Sequence, residues 1–419
     1  MVPIIIICLF AFLIFSFPMF LGMIVGPVAA MGTSGSMDVS SMMQTLTTGI
    51  SSFVLVAVPM FIFAAEIMCK GQCADRLIRL MRVFCGHLSG GLAITAAGTC
   101  TFFGAISGSS QATFVAVGRP LAKEMTAHGY KTSHSLGILM AAANIAWLIP
   151  PSVCMIFYCL VSSVSVAELF MAGIGPGIIL FLLFAIYEWV IAKKKKIPTL
   201  DKVSWRERGK ALKQALIPLG FPLIILGGIY SGMFSPTEAA AVSLLYAIIV
   251  EMFVYKSIKL KDIWKAALST GAVTASVFIL IAAGNMISWV LSFAGVPQAV
   301  MNTLMAGDPS AIILLFIISA TFFIGCMFVD SLPLIMILVP IFFPVTTALG
   351  IDPIQLGVII VVLSALGTIT PPFGVNLFTA MAIFDKPYTT VIKGIIPYIL
   401  IFVVMVLLCI FIPQVALSS

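Results

Sequence analysis

An interrupted apolar segment near the end of the chain constrains the fold most strongly. Residues 356–384 are apolar and long enough to cross a bilayer, for which about 20 residues suffice. The segment contains Gly-Thr-Ile-Thr-Pro-Pro-Phe-Gly-Val-Asn at 367–376, and prolines at 371 and 372 supply no backbone N–H to a helix. The freed backbone groups are tolerated at membrane depth only inside protein or along a polar cavity. Such a break is typical of the ion and substrate sites of secondary transporters, and a simple proline kink is the alternative.

A second Pro-Pro pair lies 221 positions earlier, at Pro150 and Pro151. The same offset aligns Phe157 with Phe378 without a gap. A weak match that keeps its register over such a length indicates an internal repeat of about half the chain. Repeats of this size occur in transporters built from two halves of opposite orientation.

The composition indicates a polytopic membrane protein made of helices. Hydrophobic residues form 61% of the 419-residue chain and charged residues 9%, which leaves no room for a soluble domain. The nine cysteines have no zinc-binding spacing, so no transition metal is predicted. The apolar segments predict ten spans, at 2–17, 18–34, 48–69, 133–162, 166–192, 212–233, 236–255, 264–292, 353–384 and 390–414.

The basic residues predict the orientation of these spans. All 22 Lys and Arg fall in five short stretches, which the positive-inside rule places in the cytoplasm: 70–82, 119–131, 193–213, 256–265 and 386–393. Both termini are then periplasmic. The net charge of +7 belongs to one membrane face and gives no reason to expect nucleic acid. Residues 193–211 are predicted to be a cytoplasmic linker, with an interfacial amphipathic helix as the alternative. Three acids near the cytoplasmic span ends are predicted to be interfacial: Glu66, Glu188 and Glu251.

Two further apolar regions, 86–125 and 309–345, each enter and leave on one side of the membrane in this topology. Both turn at polar residues, so each is predicted to be a re-entrant hairpin, and the two enter from opposite faces. The predicted fold is therefore an inverted repeat with five spans and one hairpin in each half. The first repeat covers 1–192, with hairpin 86–125 and broken helix 133–162. The second covers 212–419, with hairpin 309–345 and broken helix 353–384.

Each hairpin tip is expected to lie beside the broken helix of its own half. Serines at 107, 109 and 110 would face residues 144–152, and Asp330 with Ser331 would face residues 367–376. Hydroxyl, amide and carbonyl oxygens suit a hard cation, so we predict one sodium site in each half. A proton carried by Asp330 is the alternative, and Asp330 could also be a plain helix cap. Free helix N-termini at the breaks favour a carboxylate substrate, since no Lys or Arg lies deep in a span.

Several of these motifs resemble the large membrane subunit of tripartite ATP-independent periplasmic (TRAP) transporters. They are Gly-Ala-Ile-Ser-Gly-Ser from Gly104, Ile-Pro-Pro from Ile149, Thr-Pro-Pro-Phe-Gly-Val-Asn-Leu-Phe from Thr370, and Phe-Ile-Phe-Ala-Ala-Glu from Phe61. The resemblance covers nearly the whole chain. It departs at Ser110-Gln111, where the family more often has small residues or proline.

The resemblance implies a sodium-coupled importer of the elevator type in the bacterial inner membrane. It implies two separate partner polypeptides, a small four-helix membrane subunit and a soluble periplasmic substrate-binding protein. The implied substrates are organic acids such as C4-dicarboxylates, sialic acid, other sugar acids and keto acids. Carried over by position, the two sodium sites fall on Ser107, Ser110, Asn144, Ile149 and Pro150 in the first half, and on Gly325, Asp330, Thr368 and Thr370 in the second. The residue argument adds Ser109 and Gly367 to these sites, and a substrate pocket at Ser152, Ser331, Pro372 and Asn376.

Other classes of function compete with this interpretation. A stand-alone divalent-anion/sodium symporter would share the hairpins and need no binding protein. An intramembrane enzyme is disfavoured, because there is no His-Glu-x-x-His and the three histidines lie at cytoplasmic span ends. A channel is disfavoured by two occluding hairpins, and a scaffold would need neither the matched breaks nor Asp330. The sequence therefore predicts a transporter and not an enzyme.

Overall fold

The computed structural model describes residues 1–15, 17–32 and 38–417. Over those residues it contains helices and no β-strand, which confirms the predicted all-α class. The first ten α-helices are α1 (Val2–Ile14), α2 (Met19–Met31), α3 (Val39–Gly49), α4 (Ala57–Lys70), α5 (Cys73–Cys85), α6 (Gly91–Ser107), α7 (Ser110–Ala127), α8 (Thr132–Ala143), α9 (Val153–Ser162) and α10 (Val166–Lys195).

The remaining helices follow a short connection after α10. They are α11 (Trp205–Tyr230), α12 (Pro236–Ile248), α13 (Leu260–Phe293), α14 (Val296–Met305), α15 (Ala311–Phe328), α16 (Ser331–Ala348), α17 (Pro353–Gly367), α18 (Val375–Phe384), α19 (Tyr388–Lys393), α20 (Ile396–Phe411) and α21 (Pro413–Ala416). Two 3₁₀ turns, Phe53–Val56 and Asn144–Trp147, and one π-helical turn, Ile249–Val254, complete the regular structure.

Within the described part of the chain, seven helical segments are long and apolar enough to cross a membrane. They are Phe53–Lys70, Val166–Lys195, Trp205–Tyr230, Pro236–Val254, Leu260–Phe293, Ala311–Phe328 and Ser331–Ala348. The protein is therefore a multi-pass membrane protein.

Some bounds differ from the predicted ones. The helices α1 and α2 have 13 residues each, about 20 Å, which is shorter than the roughly 30 Å of a bilayer core. Pro18 separates them because it begins a new helix and cannot continue the previous one. The predicted linker is also shorter, since Lys195 ends α10 and Trp205 begins α11. No separate amphipathic helix lies between these two helices, and residues 205–211 form the first turns of α11.

Two groups of helices meet along a long interface. The frame, as we call it, comprises α1–α4 and α11–α13, in which α4 packs against α12 and α13, and α2 packs against α13. The body comprises α6–α10 and α15–α20, in which α6 packs against α7 and α8, α16 against α9, and α17 against α15 and α20. The frame contacts the body mainly where α4 meets α6 and where α13 meets α16. Within the body, the order helix–turn–helix, interrupted helix, long helix occurs in each half, and the inverted repeat remains a prediction.

A buried polar cluster joins three helices of the body. Glu188 of α10 is fully buried and pairs with Nε2 of His134 of α8 at 2.8 Å. Its second carboxylate oxygen accepts a hydrogen bond from the hydroxyl of Tyr398 of α20.

Glu251, in the π-helical turn, is also fully buried. It accepts hydrogen bonds from the backbone amide of Gln72 and from the hydroxyl of Ser257. Both acids therefore have partners inside the protein, and their predicted interfacial level stays a prediction.

Candidate functional site

The first break lies between α8 and α9. After Ala143 the chain makes the 3₁₀ turn that ends at Trp147, passes through the two prolines, and begins α9 at Val153. The hydroxyl of Ser152 donates to the Trp147 carbonyl at 2.6 Å and accepts from the Met155 amide at 3.3 Å. Ser152 therefore caps α9 and compensates for backbone bonds that the prolines remove.

The second break lies between α17, which ends at Gly367, and α18, which begins at Val375. The hydroxyls of Thr368 and Thr370 donate to the carbonyls of Ala365 and Leu366 at 2.8 and 2.7 Å. Both hydroxyl oxygens keep lone pairs that can accept a further partner. This break thus gathers oxygen atoms within a buried segment, as the sequence predicts.

The turn between α6 and α7 lies directly against the first break. Gly108 ends α6 in the left-handed conformation (φ +60°), and a Cβ at this position would lie 2.4 Å from the Pro151 carbonyl oxygen. Ser109 caps α7 by accepting from the Ala112 amide at 3.4 Å. The hydroxyl of Ser107 lies 2.7 Å from that of Thr113, which draws the two helix ends together.

The turn between α15 and α16 lies against the second break. The amide of Phe373 donates to the Met327 carbonyl at 3.2 Å, and the hydroxyl of Ser331 donates to the Ser364 carbonyl at 3.1 Å. Asp330 caps α16, because its carboxylate accepts from the Ser331 amide at 2.7 Å. Asp330 is also partly exposed, so its carboxylate can reach a ligand as well as cap the helix.

Two buried asparagines connect the breaks, in what we call the central amide network. Nδ2 of Asn144 donates to the Ala365 carbonyl at 2.6 Å, and Nδ2 of Asn376 donates to Oδ1 of Asn144 at 2.7 Å. Nδ2 of Asn376 also lies 3.3 Å from the Ser110 hydroxyl and 3.4 Å from the Thr368 hydroxyl. The network therefore joins the first break, the second break and the turn between α6 and α7.

The network leaves an acceptor that suits a hard cation. Oδ1 of Asn376 and Oγ of Ser364 are buried and have no hydrogen-bond partner in the described residues. An orphaned amide oxygen fits sodium, because hard cations prefer oxygen ligands. In the described ranges, no group of three or more His, Cys, Asp or Glu side chains is close enough to hold a metal ion.

A cavity of about 360 Å³ lies where the turns of the body face α4 and α13 of the frame. Two of its lining residues are acids, Glu66 and Asp330, and none is Lys or Arg. A buried aromatic side chain, Trp147, faces it from the first break. The full lining is Ile62, Ala65, Glu66, Ser107, Gly108, Ser109, Gln111, Ala112, Trp147, Val153, Cys154, Val273, Val277, Asp330 and Leu332. Its chemistry suits a small organic solute that carries a positive group.

The predicted site residues divide between the cavity and the network behind it. Three of them line the cavity, namely Ser107, Ser109 and Asp330, whereas Asn144, Ser110 and Thr368 belong to the central amide network. The residues predicted for the substrate pocket (Ser152, Ser331, Pro372 and Asn376) do not line this cavity, and each of them makes a hydrogen bond within the body. The remaining predicted sodium ligands (Ile149, Pro150, Gly325, Gly367 and Thr370) lie at the breaks and beside the second turn.

Sequence reasoning missed some of the cavity residues. Gln111 and Trp147 line the cavity, although no sequence motif predicts either of them as a site residue. Glu66 was predicted to be interfacial, yet it lines the cavity while paired with Lys70 at 3.1 Å. The sequence signal for Glu66 is its position, since it is an acid at the end of an apolar segment. Trp147 carried no signal, since an aromatic residue in an apolar segment is ordinary.

Comparison with known proteins agrees with a transporter. The family model of the tripartite ATP-independent periplasmic transporter, DctM component, matches residues 6–415. The ectoine/5-hydroxyectoine TRAP transporter large permease of Ruegeria pomeroyi is 48% identical over 407 residues, which cover 97% of this chain and 95% of that protein. The ectoine TRAP transporter large permease of Halomonas elongata is 48% identical over 409 residues, with the same coverages. Among solved structures, the YdaH transporter of Alcanivorax borkumensis superposes with a TM-score of 0.64 at 19% identity over 90% of both chains, a likeness of fold alone.

Proposed function

Because this chain belongs to the DctM component family of tripartite ATP-independent periplasmic (TRAP) transporters, we propose that it imports a small organic solute across the bacterial inner membrane, driven by sodium. Members of the family are transporters and not enzymes, and they work with a small membrane subunit and a periplasmic binding protein. The observation that carries the proposal is the cavity between frame and body, which two polar turns and the first break border.

Sodium coupling is supported by the oxygen atoms around the two breaks. The first site would use Ser107, Ser110 and the backbone from Asn144 to Pro150, and the second would use Asp330 and the threonines of the second break. The buried, unpartnered Oδ1 of Asn376 adds an acceptor between them. A sodium ion bound there would replace the missing hydrogen-bond donor and stabilise the contact between the halves.

The proposed substrate is a compact zwitterionic carboxylate of the ectoine kind. Two relatives at 48% identity are named as ectoine transporters, and ectoine carries a delocalised positive charge beside its carboxylate. The cavity offers Trp147 and the carboxylate of Glu66, which also pairs with Lys70, to that positive charge. A doubly negative C4-dicarboxylate would meet two acids there and no basic side chain, so it would depend on bound sodium for compensation.

The proposed route is movement of the body against the frame, as in an elevator. The cavity has walls from both groups: Glu66 and Val273 belong to the frame, and Ser107 and Asp330 to the body. The buried cluster at Glu188 and the central amide network tie the body's helices to one another. Sliding of the body would therefore carry the turns and breaks together past α4 and α13.

The partners in this proposal are a separate four-helix membrane subunit and a separate binding protein that delivers the solute. The orientation follows the basic residues, with the end of α10 and the start of α11 in the cytoplasm and both termini in the periplasm. Membrane lipid surrounds the frame.

Uptake by proteoliposomes tests the function. Proteoliposomes would contain this chain and the small subunit, with the binding protein outside, and labelled ectoine, 5-hydroxyectoine, succinate and sialic acid would be compared. We expect ectoine uptake that needs an inward sodium gradient and both partners. Uptake by this chain alone would indicate the stand-alone symporter, and uptake of succinate in preference to ectoine would refute the zwitterion assignment.

A further inference from the structure

Exposed tryptophans mark one end of the long helices as lying at the membrane surface. Trp189 is 45% exposed near the end of α10, and Trp264 is 67% exposed near the start of α13. Nζ of Lys193 lies 4.9 Å from the centre of the Trp189 ring. Tryptophan beside lysine is characteristic of the level at which hydrocarbon gives way to lipid headgroups. The start of α11, with Trp205 at 77% exposure, lies among the same basic residues.

Arg208 in the first turns of α11 is buried and poorly satisfied. It is 7% exposed, and its Nε and Nη2 have no hydrogen-bond partner within residues 1–15, 17–32 and 38–417. Its Cζ lies 4.8 Å from the Trp205 ring centre and 5.9 Å from that of Phe84 in α5. Both rings therefore lie within the distance of a cation–π interaction with the guanidinium. Nε and Nη2 lie on one edge of the group, which is the pair that binds an anion through two parallel hydrogen bonds.

Neighbouring arginines have partners that Arg208 lacks. Arg76 donates to the Gln214 carbonyl and the Gln72 side chain and stacks on the Tyr255 ring at 3.9 Å, while Arg82 pairs with Glu124. No acidic side chain forms a salt bridge with Arg208 in the described part of the chain. A desolvated charge without a counter-ion is unfavourable, so this site calls for an anion from outside the chain.

We infer that Arg208 binds the phosphate of an anionic phospholipid at the cytoplasmic surface. The apolar surface beside it favours a lipid over a free phosphate ion. Leu212 and Leu216 follow Arg208 at one-turn spacing on α11 and are 45% and 56% exposed, so they offer a path for an acyl chain toward the membrane interior. The nine Lys and Arg of 193–213 attract an anionic headgroup in preference to a zwitterionic one. Both edge atoms are shielded from solvent, so a side chain beside the guanidinium has to move when the lipid binds.

Competitive lipid binding tests this site. The full chain, purified in detergent, would be mixed with equal amounts of phosphatidylglycerol and phosphatidylcholine, and bound lipids would be counted by native mass spectrometry. The variants are Arg208→Gln and the matched Arg206→Gln, which removes an exposed charge two residues away. We expect the ratio of bound phosphatidylglycerol to phosphatidylcholine to fall about tenfold in Arg208→Gln and less than twofold in Arg206→Gln.

Three results would overturn the inference. The first is an unchanged ratio of bound phosphatidylglycerol to phosphatidylcholine in Arg208→Gln. The second is an equal fall of that ratio in Arg206→Gln, which would indicate diffuse charge attraction. The third is displacement of phosphatidylglycerol by millimolar inorganic phosphate, which would indicate a small-anion site. If Arg208→Gln does not fold, Arg208→Lys serves instead. Lysine keeps the charge but cannot form the two parallel hydrogen bonds. The ratio of bound phosphatidylglycerol to phosphatidylcholine should therefore lie between that of the wild type and the tenfold lower value expected without the site. A wild-type ratio in Arg208→Lys would exclude the paired hydrogen bonds.

Discussion

Replacement of Asn376 by alanine is the most informative perturbation of the candidate site. It removes the donor to Oδ1 of Asn144, leaves that buried oxygen unpaired, and deletes the orphaned Oδ1 that we assign to sodium. Interhelical hydrogen bonds in membrane proteins contribute about 0.6 kcal/mol on average and up to about 1.7 kcal/mol. The 2.7 Å separation is typical of a well-formed bond, and an unpaired buried acceptor adds a penalty of about 1–3 kcal/mol. We therefore expect a loss of about 1.5–3 kcal/mol, which leaves the protein folded.

The assay separates the structural role of Asn376 from its role as a ligand. Thermal unfolding would be followed in sodium chloride and in potassium chloride, and sodium dependence would be measured by ectoine uptake. We expect Asn376→Ala to unfold about 2–3 °C lower and to lose the extra stability that sodium gives the wild type. The sodium concentration for half-maximal uptake should rise about tenfold, since 1.4 kcal/mol corresponds to a factor of ten. Asn376→Asp keeps an oxygen but loses the donor, so sodium should restore more of its stability.

Asn285→Ala provides the matched control. The Asn285 side chain donates only within its own helix, to the Ile281 carbonyl at 3.0 Å, and it packs against Gly49 of α3. We expect its sodium response to match the wild type. If Asn376→Ala behaves like Asn285→Ala in both assays, the central amide network has no part in sodium binding and the site assignment fails.

Three other substitutions test separate parts of the site. Asp330→Asn can still cap α16 but carries no charge. Uptake by this variant should lose much of its sodium dependence, while its unfolding temperature stays near that of the wild type. Unchanged sodium dependence would remove Asp330 from the sodium site. Glu66→Gln should raise the KM for ectoine about two- to fivefold without changing that for an uncharged competitor, and Glu168→Gln, an exposed acid remote from the cavity, should leave KM unchanged. Gly108→Ala should impair folding or uptake more than Gly129→Ala, because both glycines have positive φ but only the first would press its Cβ against a carbonyl; equal effects would attribute the loss to backbone conformation alone.

The breaks and their neighbours could be predicted because their causes are local. A Pro-Pro pair removes backbone donors wherever it stands, and the polar turns at Gly108 and Asp330 interrupt otherwise apolar runs. A repeat in register then indicates which turn belongs to which break. The structure places each turn against the break of its own half, as that reasoning predicts.

The parts that could not be predicted depend on contacts between distant segments. The bond between Asn144 and Asn376 joins residues 232 positions apart, and nothing local indicates that their side chains meet. Nothing local indicates that Glu188 is buried, because its partners His134 and Tyr398 lie 54 and 210 residues away. The sequence does not predict the amphipathic helix α5 either, because its basic residues indicate only a cytoplasmic stretch between spans.

The contact between Asn144 and Ala365 bears on the predicted repeat. These residues are 221 positions apart, which is the offset of the predicted repeat, so Asn144 binds the backbone of its own counterpart. One of the two positions carries an amide side chain and the other carries a methyl group, so the hydrogen bond runs in one direction only. The predicted repeat is therefore unequal at a point where its two halves touch, and an exchange of the two residues, Asn144→Ala with Ala365→Asn, would reverse that inequality.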